Sequence, residues 1–506
     1  MGKIIESHLD HFDGGIANDP RDTRNDVARM VTNYDILTDP HRMTPYRDSE
    51  DGHDNASTET IKNFGIGLRT GTTYSLYGLG VTAGGGIAEI YYKDITTGAS
   101  TDLDDNGWDE TGNNADGSGA TAFDLFVFYA KTGLFYGAAA GTRIWSYEAD
   151  GGAFTATARS LTYTNLAQGL VHSKDDILYI PYDNKIAKND NGSWTDAALT
   201  LPSHFYITSI AEHGNYLAIA CAPLSGVGDS VGYLWDRDAT LATLSEVINW
   251  GSETLKVIGE VDGVLIGISS ASGNSTRFNQ RLVFKYLSVS NAIKFAEFLS
   301  SSTILFPISK QIINNRLYFL AQLTLNGAVR EGVWSVGRNY TSGGFSIVHE
   351  RTPNNDTALV ASSNLHSFFI VGDYMLISYT TSGAVAMSKT NDQSSYTATS
   401  IYETKILNDG DASLKKKLLG VSVMFEALPS AGQVVLKYKK DEETSYTTIF
   451  SEATDDAISH SAVNIESTGA TLPEYKEISF RIESTGGAVI TGLSWKSEIV
   501  GKRNYE

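Results

Sequence analysis

A chain of 506 residues, 41% of them apolar, is long enough for two to four domains and a large core. Its formal net charge of -20 excludes a surface built to coat nucleic acid, which would be basic. Its one cysteine excludes an intrachain disulfide, and Cys221 in "YLAIACAPL" reads as a small buried hydrophobe. The 48 glycines supply turns, and the 26 tyrosines and 20 phenylalanines favour strands. No amphipathic helical period runs beyond about a dozen residues, so the chain reads as all-β. No stretch approaches the ~18–20 apolar residues of a membrane span, and no membrane insertion is expected. The opening "MGKIIESHLDHFDGG" lacks the apolar region of a secretory signal.

Residues 1–59 are polar, rich in Asp and Arg, and punctuated by Pro20, Pro40 and Pro45. Their scattered apolar groups cannot close a core alone. One short helix near Asn25–Val31 is allowed; the rest reads as an extended arm that orders on another surface. In that reading Ile16, Val27, Met30, Val31, Tyr34 and Leu37 dock into grooves of a neighbouring subunit, and Arg21, Arg24 and Arg29 pair with acidic surfaces. "HLDHFD" also offers His8, His11 and Asp13, a set able to hold zinc; the competing reading is a polar arm packed on a partner.

From residue 60 to 407 a turn followed by an apolar strand recurs seven times: residues 72–78, 132–138, 175–181, 214–220, 262–268, 314–320 and 372–378. A second strand follows each, as in "AEIYYKD", "TRIWSYE" and "VGYLWDR". Units of three or four strands at this spacing predict a β-propeller of about seven blades. Insertions fall at 97–121 and 269–277.

A hairpin pattern recurs after the second strand. Asp150-Gly151-Gly152, Asp190-Asn191-Gly192, Ser342-Gly343-Gly344 and Asn391-Asp392 each precede an aromatic and hydroxyl pair. Asx and Gly accept the positive φ of tight turns, so these read as structural turns. "KNDNGSWT" and "TNDQSSYT" look somewhat like the Asp-box hairpin of sialidases but depart from it at the first and last positions. "TDLDDNGWDETGN" starts like a calcium loop with Asp102, Asp104, Asn106 and Gly107, but Asn113 replaces the bidentate Glu, which favours a polar insertion. No nucleophile elbow, zinc-protease or phosphate-loop motif occurs, and no cofactor is expected.

Residues 408–506 change character again. "LLGVSVMFEAL", "GQVVLKYKK", "EYKEISFRIEST" and "AVITGLSWKSEIV" alternate apolar and polar residues and predict a C-terminal antiparallel β-sandwich.

The two ends carry a family resemblance. "HFDGGIANDPRDTRNDVARM" resembles the opening of propeller proteins associated with the tails and connectors of tailed bacteriophages. "PEYKEISFRIESTGGAVITGLSWKSEIVGKR", with Ile490, Gly492, Trp495 and Arg503, resembles the final sandwich of short-tailed phage nozzle proteins. The resemblance implies a non-enzymatic virion structural protein, assembled in the host cytoplasm. Its implied partners are other tail or connector proteins and further copies in a homo-oligomeric ring around the DNA-ejection path. It implies no sequence-specific nucleic-acid binding. The alternative is a glycan- or receptor-binding propeller module, with glycan hydrolase a third reading.

Overall fold

The computed structural model describes residues 3–16, 27–47, 49–51, 59–70, 73–82, 88–94, 109–114, 121–139, 141–150, 152–238, 244–275, 278–288, 291–304, 306, 309–325, 328–353, 364–372, 374–381, 384–390, 396, 399–463 and 472–500. Strands dominate, and no helix occurs among them. The chain divides into two compact units. One comprises Glu50–Val333 and Leu359–Thr390; the other comprises Met1–Ser49, Trp334–Ala358 and Asn391–Glu506.

Five short strands come first: β1 (Ile4–Leu9), β2 (Ala28–Thr32), β3 (Tyr34–Asp35), β4 (Thr44–Pro45) and β5 (Ser49–Asp51). Blade 1 is β6 (Glu59–Thr70), β7 (Thr73–Thr82), β8 (Ala88–Asp94) and β9 (Asp109–Asn114). Blade 2 is β10 (Thr121–Tyr129), β11 (Leu134–Ala139), β12 (Arg143–Glu148) and β13 (Phe154–Ser160). Blade 3 is β14 (Leu170–His172), β15 (Ile177–Tyr182), β16 (Lys185–Asp190) and β17 (Ser193–Thr200). Blade 4 is β18 (Phe205–His213), β19 (Tyr216–Pro223), β20 (Ser230–Trp235) and β21 (Leu244–Gly251). Blade 5 is β22 (Thr254–Val261), β23 (Val264–Ser275), β24 (Phe278–Ser288) and β25 (Asn291–Ser300); a single parallel pair, Asn249 with Asn291, joins blades 4 and 5 at their outer strands. Blade 6 is β26 (Lys310–Ile313), β27 (Arg316–Leu325), β28 (Ala328–Arg338) and β29 (Phe345–Arg351), and the boundary between the two units falls within β28. Blade 7 is β30 (Asn364–Val371), β31 (Tyr374–Thr381) and β32 (Ala384–Thr390), completed by β5 from before the first blade.

Seven sheets in chain order, with an N-terminal strand completing the last, make a closed propeller. First strands touch in succession from β14 through β18, β22, β26 and β30 to β6, and β6 touches β10. The seven apolar anchors of the sequence are the second strands β7, β11, β15, β19, β23, β27 and β31. They read as continuous apolar runs because neighbouring blades cover both faces. Tyr179 and Ile186 of blade 3 pack on Ile207, Leu217, Ile219 and Trp235 of blade 4 in one buried cluster. Fully burying a Leu or Ile here contributes about 1.5–3 kcal/mol.

The second unit is a sandwich that differs from the expected one in its boundaries. Its remaining strands are β33 (Ser400–Thr404), β34 (Lys416–Phe425), β35 (Gln433–Lys440), β36 (Thr447–Glu452), β37 (Ser459–Val463), β38 (Glu474–Tyr475), β39 (Ile478–Thr485) and β40 (Ile490–Ile499). One sheet runs β1-β40-β34-β37, with β38 also on β34; the other runs β2-β33-β39-β35-β36. Each sheet takes an edge strand from the N-terminal 32 residues. The described part of the expected arm through residue 47 therefore belongs to the sandwich unit, β5 joins blade 7, and the segment allowed as a helix near Asn25–Val31 contributes β2 from Ala28 onward. Val27, Val31 and Thr32 favour extended backbone, and Ala28, Met30, Val31 and Thr32 find register partners on β33.

The fourth expected hairpin also differs. After β32 the chain does not fold back, because β33 pairs with β2 and β39. Asn391 and Asp392 lie outside the described residues.

Candidate functional site

The first strands of the blades are irregular in a repeated way. Register shifts occur between Ile61 and Asn63 in β6, Ala122 and Phe126 in β10, and Ile207 and Ser209 in β18. They recur between Leu255 and Val257 in β22 and between Leu365 and Ser367 in β30. Ahead of β14, the pairs Leu166–Tyr182 and Leu170–Tyr179 leave one extra residue on the first-strand side. A β-bulge of this kind turns a side chain away from the alternation of its strand. The displaced residues include Lys62, Asp124, Gln168, Thr208, Lys256 and His366. A sequence signal for them exists: Ile61-Lys62-Asn63-Phe64, Ile207-Thr208-Ser209-Ile210, Leu255-Lys256-Val257-Ile258 and Leu365-His366-Ser367-Phe368 share a polar second place between apolar ends.

Some of the polar groups around these bulges stitch neighbouring blades. Gln168 Nε2 donates to Phe126 O at 2.7 Å, and its Oε1 accepts from Phe126 N at 3.2 Å. Gln311 Oε1 accepts from Ile370 N at 2.6 Å, Thr208 Oγ1 donates to Leu255 O at 2.7 Å, and Ser367 Oγ donates to Ile61 O at 2.9 Å. Each bond reaches a backbone group on a neighbouring blade's first strand. The Lys310 ammonium spends its three donors on Ser209 Oγ (2.9 Å), Ile210 O (2.6 Å) and Ile258 O (2.5 Å). Burial pulls its pKa down to about 7, and these acceptors oppose the loss of its proton.

A cavity of about 290 Å³ lies among the first strands, bounded by Lys62, Asp124, Gln168, Lys310, His366 and Phe369 among others. Lys62 Nζ donates to His366 Nδ1 at 3.0 Å. Burial, then the Lys62 charge, lowers His366 to about 4, so its imidazole is neutral at pH 7. Burial also lowers Lys62 and Lys256.

The partner residues expected from sequence are placed differently. Val27, Val31, Tyr34 and Leu37 are buried within the sandwich unit of their own chain. Ile16 packs partly against that unit's core, while Arg29 and Met30 are half-buried. Tyr34 Oη bonds Ser484 Oγ at 2.5 Å. The buried groups are spent on the chain's own core and do not form a docking stripe for a neighbouring subunit. Arg21 and Arg24 lie outside the described residues.

The imidazoles and carboxylate of "HLDHFD" are not brought together as a zinc set, and no metal-ligand cluster occurs among the described residues. His11 bonds Asp10 at 2.9 Å and packs on the His41 ring, with centroids 4.3 Å apart. Asp13 is fully buried and accepts from Thr341 N (3.1 Å) and Thr341 Oγ1 (2.9 Å). The calcium-like residues Asp102, Asp104 and Asn106 lie outside the described residues. Asn191 (φ 48) and Gly192 (φ 85) form a two-residue turn between β16 and β17, as expected for a structural hairpin. Cys221 is buried, and burial pushes its thiol well above the usual range, which removes it as a nucleophile.

No protein-family profile matches the chain, and no curated protein matches it. Solved structures do. An exo-β-1,3-galactanase from Phanerochaete chrysosporium with galactose aligns at 13% identity over 85% of this chain and 95% of that one, with a TM-score of 0.31. The same enzyme with β-1,3-galactotriose aligns at 12% identity over 85% and 95%, again at 0.31. The β-propeller domain of Cps50 (Swd1) from Myceliophteria thermophila aligns at 9% identity over 64% of this chain and 95% of that one, at 0.39. The propeller assignment here stands on the seven sheets and their closure.

Proposed function

We propose that this chain is a structural component of a bacteriophage tail, a nozzle- or ring-like protein arranged around the DNA-ejection path. The observation that carries the reading is that the two resembling ends belong to one folded module. β1 pairs with β40 along its whole length, from Ile4–Glu498 to Leu9–Leu493, with Ser7 opposite Trp495. Phe12 of "FDGGI" is fully buried in the same core as Ile490. Gly15 lies so close to the Ile347 backbone that an added Cβ would stand 2.7 Å from Ile347 O, which gives Gly15 a packing reason.

A non-enzymatic role fits the axial cavity. Glycoside hydrolysis ordinarily needs two carboxyl groups flanking the bond, and Asp124 is the one carboxylate among the described residues lining it. The net charge of -20 keeps the surface from adhering to passing DNA phosphates. The partners in this reading are other tail or connector proteins and further copies of the chain in a closed ring.

Mass spectrometry and immunogold labelling of purified particles from the encoding phage test the reading. The expected result is a stoichiometric, tail-localised protein in multiple copies. Its absence from particles, or turnover of a carbohydrate polymer by the purified chain, would overturn it.

A further inference from the structure

The cavity among the first strands of the propeller is lined by two lysines and one carboxylate in a chain that is strongly acidic overall. Lys62 and Lys310 both line it, with the neutral His366 and, on the other side of the charge balance, Asp124. Lys310 is consumed by its three acceptors and offers no free donor to a ligand. The Lys62 ammonium is oriented by His366 Nδ1 and pairs with no carboxylate among the described residues. Among the described residues no ion pair joins Lys62 to Asp124, the carboxylate that lines the cavity.

We propose that this cavity is a binding site for a small oxyanion, a phosphate or carboxylate group, held by the Lys62 ammonium. The Asn63, Ser309 and Phe369 side chains complete a wall of mixed polarity, and about 290 Å³ admits an anion with a small organic substituent. An arriving anion supplies the counter-charge that Lys62 lacks, which is worth most where water is partly excluded. His366 is a positioning residue: its neutral imidazole accepts from Lys62 and so points the ammonium's remaining N–H groups elsewhere. The inference concerns the propeller alone and does not rest on a place in the virion.

Titration calorimetry of the full-length protein at pH 7.5 and constant ionic strength tests it, with inorganic phosphate and with acetate against a chloride background. The expected result is saturable 1:1 binding of at least one probe, weakened tenfold or more in Lys62→Met with the fold intact by circular dichroism. His366→Leu should weaken binding less than Lys62→Met. Should Lys62→Met misfold, Lys62→Arg provides the second arm: the retained charge keeps binding within about tenfold. Phosphate binding without acetate binding assigns a phosphate site, and the reverse a carboxylate site. Failure of both probes to bind saturably, or equal affinity in a folded Lys62→Met variant, would overturn the proposal.

Discussion

Thr208 Oγ1 donates to the carbonyl of Leu255 at 2.7 Å, so the bulge of one first strand is tied to the first strand of the next blade. Both ends of this bond are buried. Thr208→Val keeps the shape and strands the acceptor, so it should destabilise the protein by about 1–3 kcal/mol. Thr208→Ser, which keeps the hydroxyl, should cost less. Urea denaturation of the two variants distinguishes a hydrogen-bonding role from a packing one; equal losses would refute it.

The hairpin at Asp190 separates two contributions. Asp190 pairs with Lys131 at 3.3 Å on the solvent-screened surface, so Asp190→Asn should leave the melting temperature nearly unchanged. Gly192 at φ 85 is different, and Gly192→Val should cost about 1–2 kcal/mol through left-handed backbone strain. A large loss in Asp190→Asn with Gly192→Val neutral would contradict the turn reading.

Leu217 is fully buried between blades 3 and 4. Leu217→Ala should cost about 2–5 kcal/mol, the range for a core cavity of this size. Thermal denaturation would show it, and a loss below about 1 kcal/mol would mean that the two blades repack around the gap.

The N-terminal strands can be tested by removal. Deleting residues 2–47 takes β1 and β2 from the two sheets of the sandwich and strips Phe12, Val31, Tyr34, Ile36 and Met43 from the core they share with Tyr402, Ile482 and Ile490. The truncated protein should aggregate or become protease-sensitive across the C-terminal strands. A soluble, protease-resistant truncation would restore the picture of a detachable arm.

Stability should fall on the acid side through His366. Its pKa is about 4 in the folded propeller and near 6.5 when unfolded, so between these values the unfolded chain binds the extra proton. Stability present above pH 6.5 is therefore lost as pH falls towards 4. Lys310, lowered to about 7, acts on the other side: stability rises as pH climbs from about 7 towards the unfolded value of 10.5. Urea midpoints at pH 4.5, 6.5 and 9 should increase in that order. His366→Leu should flatten the acid limb, and an unchanged limb would assign it to other groups.

The sequence by itself determined the all-β class, the repeated construction and the second and third strands of the blades. Those strands, such as the one carrying Leu217 and Ile219, announce themselves because burial on both faces demands unbroken apolar runs over six to eight residues. The turns at Asn191-Gly192 and Asp262-Gly263 were equally local, since positive φ selects these residue types within a few positions. Tertiary structure alone decided the rest. Lys62, Lys256 and His366 look like surface residues in a linear reading, and only the bulges and the neighbouring blades enclose them. The first 47 residues look unable to fold because their apolar groups are few and scattered. Their partners, β40 and β33, stand hundreds of residues away, and only when the chain returns do Val31, Tyr34 and Phe12 meet Tyr402, Ile482 and Ile490 in a shared core. A segment whose hydrophobic face is completed by distant strands carries no local period to read, because its burial is a property of the assembled sheets.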